Sequence, residues 1–132
     1  MKTLAMLVGL LVVASNAVGE DKDVKRSDAE KKAIAAIKKL GGIVTFDEKE
    51  PGKPVICVNL FDKNVTDVGL VHLKGFTNLQ TLEFPFNNVT DVGLVHLKGM
   101  TKLQKLNLEN TKVTDAGVKK LQAALPKCMI IH

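Results

Sequence analysis

Val65 to Asn88 reads VTDVGLVHLKGFTNLQTLEFPFNN, and Val89 to Lys112 reads VTDVGLVHLKGMTKLQKLNLENTK. The second stretch is the first displaced by 24 residues, with the first eleven positions identical, and a third copy opens at Val113 as VTDAGVKKLQAAL. A fixed period of this length means stacked supersecondary units, each unable to bury its own apolar face without a neighbour. Each unit has two halves. Leu79, Leu82 and Phe84, and likewise Leu103, Leu106 and Leu108, alternate as a strand with one buried side does. Leu70 and Leu73, Leu94 and Leu97, and Val118 and Leu121 recur at helical spacing after the Thr-Asp pairs 66–67, 90–91 and 114–115. Gly75 and Gly99 stand where a helix end favours a left-handed residue. Gly69, Gly93 and Gly117 sit early in each helix, where glycine costs about 1 kcal/mol, and so point to close approach between neighbouring units.

Working outward, Val55, Val58 and Leu60 supply the strand that opens the first unit, over 55–60. The last strand is degenerate, with Lys127 in place of the first leucine and Ile130 and His132 following. Upstream, Ser27 and Glu30 form a capping box before Ala33, Ile34, Ile37 and Leu40, and Gly41-Gly42 ends that helix. Ile43 to Phe46 reads as a strand and Asp47 to Pro54 as a charged turn. Residues 27–54 are therefore expected to cap the repeats of 55–132, with 20–26 a flexible leader.

The pattern carried by Leu79, Leu82, Phe84, Asn87, Val89, Thr90, Asp91, Gly93, Leu94 and Leu97 resembles leucine-rich repeats. Its VTDxGLxxL half is similar to the strand-plus-helix class of F-box-associated and ribonuclease-inhibitor-like repeats, and to small secreted bacterial proteins. The resemblance implies an α/β fold: a short solenoid with parallel strands on the concave face and helices on the convex face. It also implies interaction with a protein partner, an enzyme inhibitor's role being one form of this.

The first residues carry an address. Met1-Lys2 is followed by the apolar run Leu4–Ala14. Eleven helical residues span only about 16 Å, too short for a bilayer core, and small residues follow at Ser15, Ala17 and Gly19. A signal peptide over 1–19 and an exported, periplasmic or secreted product are expected, without a membrane span.

Composition narrows the chemistry. The 132 residues carry 19 Lys+Arg against 14 Asp+Glu, a formal charge of +5 with the two signs interspersed. There is no Trp or Tyr and only five Phe, so a stacking platform for nucleic acid is not expected. Two Cys and three His fit no usual structural zinc spacing. No cofactor is expected. His72 and His96 recur at one position, about 5 Å apart if the repeats stack, but Lys120 takes that place in the third copy. Asp67, Asp91 and Asp115 form a ladder whose expected duty is at helix N-termini. Asn64-Val65-Thr66 and Asn88-Val89-Thr90 match the glycosylation sequon only as part of the repeat. No nucleophile elbow, triad or phosphate loop is present, so no enzyme is expected. Cys57 and Cys128 lie three strands apart, about 14 Å against a disulfide limit of about 7 Å.

The alternation places Cys57, Asn59 and Phe61, then Thr81, Glu83 and Pro85, then Lys105, Asn107 and Glu109 on the outward side of successive strands. Met129 and Ile131 close the series. Phe86 follows the second strand, and the sequence leaves open whether it faces solvent or fills a loop gap. Asn59, Phe61, Thr81, Glu83, Pro85, Phe86, Lys105, Asn107 and Glu109 are the candidate partner-binding residues. Their ligand is expected to be a protein, with a glycan as second class, and weak self-association of a structural repeat protein is the alternative.

Overall fold

The computed structural model describes residues 24–132; the signal-peptide reading of 1–19 falls outside these. One mixed α/β unit is built on a five-stranded sheet in sequential order, from β1 (Ile43–Phe46) through β2 (Val55–Asn59), β3 (Thr81–Glu83) and β4 (Lys105–Asn107) to β5 (Met129–Ile131). Strands β2 to β5 run parallel, while β1 joins β2 antiparallel through the 47–54 turn. Register follows the 24-residue period, so that Val58, Leu82, Leu106 and Ile130 stand side by side on the inner face.

A helical layer lies behind this face. It begins with α1 (Asp28–Lys39), continues through two 3₁₀ helices, η1 (Asp67–Gly75) and η2 (Gly93–Leu97), and ends in α2 (Asp115–Ala124). Consecutive members pack on each other, α1 on η1, η1 on η2 and η2 on α2. Between the layers Leu70, Leu73, Leu79, Leu82, Phe84, Leu97, Leu106 and Leu121 are almost wholly buried. At roughly 1.5–3 kcal/mol for each large side chain removed from water, these repeated rows hold the fold together.

The first two repeats are 3₁₀ rather than α-helical. Gly69 N–H donates to the Thr66 carbonyl, Gly93 to Thr90 and Met100 to Leu97, all at 3.0 Å and three residues back. Valines at 68, 71, 92 and 95 and the glycines make these poor α-helices, whereas the third copy's AGVKKLQAA is a good one. There Val118 N–H reaches Thr114 O at 3.0 Å, four residues back. Gly75 and Gly99 do not take the expected left-handed conformation. Gly75 serves packing: a Cβ there would lie 2.6 Å from the Ala29 carbonyl oxygen and 2.8 Å from Ala33 Cβ of α1. Gly41 does end α1 with φ 86°.

The cap departs from expectation in two details. Ser27 Oγ accepts from Glu30 N–H at 3.1 Å, but the Glu30 carboxylate turns to Arg26, 2.7 Å away, instead of back to Ser27. Arg26 also donates to the Lys53 carbonyl at 2.7 Å and covers the Phe46 ring at 4.5 Å. It fastens α1 to the β1–β2 hairpin. Strand β2 ends at Asn59, one residue before the expected Leu60.

Two polar devices join the repeats. Asn87 is buried, and its Oδ1 accepts from Val65 N–H at 2.8 Å and Lys63 N–H at 3.0 Å. Its amide donates to the carbonyls of Leu60 (2.7 Å), Phe84 (2.9 Å) and Pro85 (3.2 Å). The aspartate ladder works between repeats, not as a set of local helix caps. Asp67 accepts from Thr90, and Asp91 from Thr114, through both backbone and hydroxyl.

Candidate interaction surface

The outward face of the sheet carries one row of Thr45, Cys57, Thr81, Lys105 and Met129 and a second of Ile43, Asn59, Glu83, Asn107 and Ile131. Antiparallel β1 thus adds Thr45 and Ile43, the latter well exposed. Antiparallel addition depends on the hairpin and not on the repeat, so the alternation within the repeats carries no signal for it.

At the C-terminal ends of the strands lie Phe61 and Phe86, 53 % and 49 % exposed, with ring centroids 5.3 Å apart and planes tilted by 55°. Phe86 faces solvent, which resolves the alternative left open above. Its φ is 59°, in the left-handed region. The equivalent positions one repeat away are Asp62 (φ 49°) and Asn110 (φ 54°). Asp and Asn tolerate this conformation, whereas a bulky aromatic there is an outlier. The loop is locked into it by Asp62 N–H donating to Pro85 O at 3.1 Å and Phe86 N–H donating to Glu109 O at 2.9 Å.

Other expected contact residues divide. Glu109 is exposed, and Thr81, Glu83 and Lys105 are half-buried but lie in the outward rows. Pro85, expected outward, is buried. Its carbonyl is drawn in by both Asp62 N–H and Asn87, which holds the residue against the loop. Asn59 and Asn107 spend their amide oxygens locally, accepting from the N–H of Phe61 and Glu109 at 2.9 Å. They shape the strand ends and leave less for a ligand than the alternation suggests.

Both thiols are free, Cys57 in the outward row of β2 and buried Cys128 just before β5. Burial pushes the Cys57 thiol up, nearby Glu83 adds to this and Lys105 opposes it. The protonated form is therefore favoured, and a thiol so held is a poor nucleophile. Burial likewise raises Cys128. Among the described residues no three of His, Cys, Asp and Glu come together as metal ligands, and no helix is long and apolar enough to cross a membrane.

No curated protein matches the chain. Among solved structures, a chain of the "Structure of Chaetomium Mex67:Mtr2 subunits" is similar, with a TM-score of 0.56 and 19 % identity over 87 % of this chain and 74 % of that one. At that identity the likeness is one of fold. Residues 77–120, which hold the β3 and β4 strands and the η2 helix between them, match the family described as Leucine Rich repeats (2 copies).

Proposed function

We propose that this is an exported, non-catalytic protein-interaction module, a short solenoid that holds its partner on the open, concave sheet face with its helices on the convex side. The observation that carries this reading is the exposed Phe61–Phe86 pair, with Phe86 kept at φ 59° where its repeat equivalents are Asp and Asn. Aromatic anchors ringed by polar side chains are the usual centre of a protein contact. Glu83, Lys105 and Glu109 supply a mixed-charge surround for selectivity. A protein suits this face better than a glycan, because the Asn59 and Asn107 amide oxygens already serve the backbone. Export rests on the apolar run Leu4–Ala14 and the small residues after it.

The test is cross-linked capture from the exported fraction of source cells with residues 20–132 as bait, beside a folded Phe61→Ser, Glu83→Lys, Lys105→Glu variant. A partner held by the parent and lost by the variant supports the reading; equal recovery removes the sheet face from it. Self-association is favoured by one feature, the exposed Met129 on β5 at the edge of the sheet. Sedimentation that depends on protein concentration, with no partner captured, would select it.

A further inference from the structure

The helical layer has an apolar surface of its own that neither the core nor the sheet face explains. Val68 and Val92 occupy one repeat position and are 77 % and 70 % exposed; Val71 and Val95 occupy another and are also exposed. Valine is a poor choice for an exposed helical site on propensity grounds, and here it stands at three positions in two adjacent helices and at a fourth just before η2. In the third repeat the same positions hold Ala116 and Lys119. Ala116 lies where η2 and α2 meet. A cleft of about 260 Å³ opens there, with Leu94, Val95, Ala116 and Leu121 among its lining and Lys98 and Lys120 beside them. Asp91, the carboxylate of the lining, is already held by the Thr114 backbone and hydroxyl. The cleft thus presents an apolar floor with two ammonium groups at its margin.

We propose that the η2–α2 cleft is a second docking site, which takes an acidic amphipathic protein segment by seating one or two of its apolar side chains between lysines 98 and 120. The volume suits side chains and falls below that of pockets built for small molecules. The charge selects the occupant. A second copy placed cleft to cleft would set lysines against lysines, whereas carboxylates flanking an inserted Leu, Ile or Phe would meet Lys98 and Lys120. A lipid surface is flat and would leave the cleft unfilled. With the sheet face occupied as well, the protein would bridge two partners from opposite layers.

A displayed library of random 16-residue peptides, selected against residues 20–132, tests this. The expected winners carry Asp or Glu around a central apolar residue. A fluorescein-labelled copy of the leading peptide should lose at least tenfold in affinity on Val95→Ser with Lys98→Glu, and on Lys120→Glu alone. A Glu-to-Lys version of the peptide should recover binding to the Lys98→Glu, Lys120→Glu variant. Phe61→Ser should leave the peptide's affinity unchanged, which separates this site from the sheet face. Winners that are basic, or that bind the cleft variants equally, overturn the proposal. So does an absence of cleft-dependent winners. Lysine-dependent sedimentation with phosphatidylglycerol vesicles and no peptide binding would overturn it in favour of a membrane-facing layer.

Discussion

Asp91 of one repeat holds Thr114 of the next by two bonds, accepting from its backbone N–H at 2.7 Å and from its hydroxyl at 2.5 Å. Gly117 lies directly over this carboxylate, where a Cβ would collide with both Asp91 oxygens and with Cγ. Asp67, Thr90 and Gly93 repeat the arrangement one step earlier. The T-D-x-G pattern is therefore one device shared across two repeats: the aspartate reaches forward and the next glycine makes room for it.

A reversal of sign follows for Gly117→Ala. Helix propensity alone favours alanine in α2 by about 1 kcal/mol. The collision with a doubly bonded carboxylate works the other way, at about 1–3 kcal/mol for an overpacked contact. Gly117→Ala should thus lower stability in the parent and raise it in an Asp91→Ala background. Urea unfolding of the two singles and the double gives the coupling, and additivity would show that the glycine is not there for the aspartate.

The same bonds make stability depend on acid. The Thr114 hydroxyl and backbone N–H hold the Asp91 carboxyl below its ordinary value of 3.8, with smaller help from Lys120 and His132. A carboxylate depressed on folding contributes stability above its unfolded value, and that contribution is lost as pH falls through the folded one. Between about pH 5 and pH 2 the melting temperature of the parent should fall more steeply than that of Asp91→Asn. Parallel curves would mean that Asp91 is not depressed.

Asn87 is the only buried polar side chain among the described core residues. Its replacement by Ala would strand two N–H groups and two or three carbonyls at the repeat junction. Each stranded group costs about 1–3 kcal/mol, so Asn87→Ala should cost about 3 kcal/mol or more. Thr111, at the same repeat position, donates to Leu108 O at 2.7 Å and accepts weakly from Val113 N–H at 3.4 Å. Thr111→Ala should cost about 1 kcal/mol. Equal losses in denaturant titrations would contradict this ranking.

How far these features were legible depends on whether they lie within a repeat or between repeats. The buried rows of Leu79, Leu82 and Phe84 and of Leu103, Leu106 and Leu108 follow from alternation, because pleat and period are local. The 3₁₀ geometry of η1 and η2 does not, since leucines three apart suit either helix. Asp67 and Asp91 look like helix caps because a cap and a forward bond to the next repeat place the same residue beside the same threonine in sequence. Gly93 and Gly117 did signal close approach, but their contact atoms could be named only with the neighbour in place. Pro85 departs from the alternation because it lies past the end of β3, in a loop whose carbonyl turns inward. The cleft left no mark in any one repeat; it lies between η2 of one and α2 of the next.

Phe86 gives the last prediction and the sharpest one for function. Its backbone is held at φ 59°, at an expected cost of about 1–2 kcal/mol for a bulky residue. Against this stands its contact with Phe61, and an exposed aromatic pair contributes about 0.5–1.5 kcal/mol. Asn110 occupies the same conformation one repeat later without an aromatic. Phe86→Asn should therefore leave thermal stability unchanged or raise it slightly, while removing most of the affinity for a partner on the sheet face. Phe61→Ser breaks the same pair without relieving the backbone, so it should lose affinity and a little stability together. If Phe86→Asn instead destabilised the protein and spared binding, the aromatic would be serving the fold, and the strain at this position would have no functional reason.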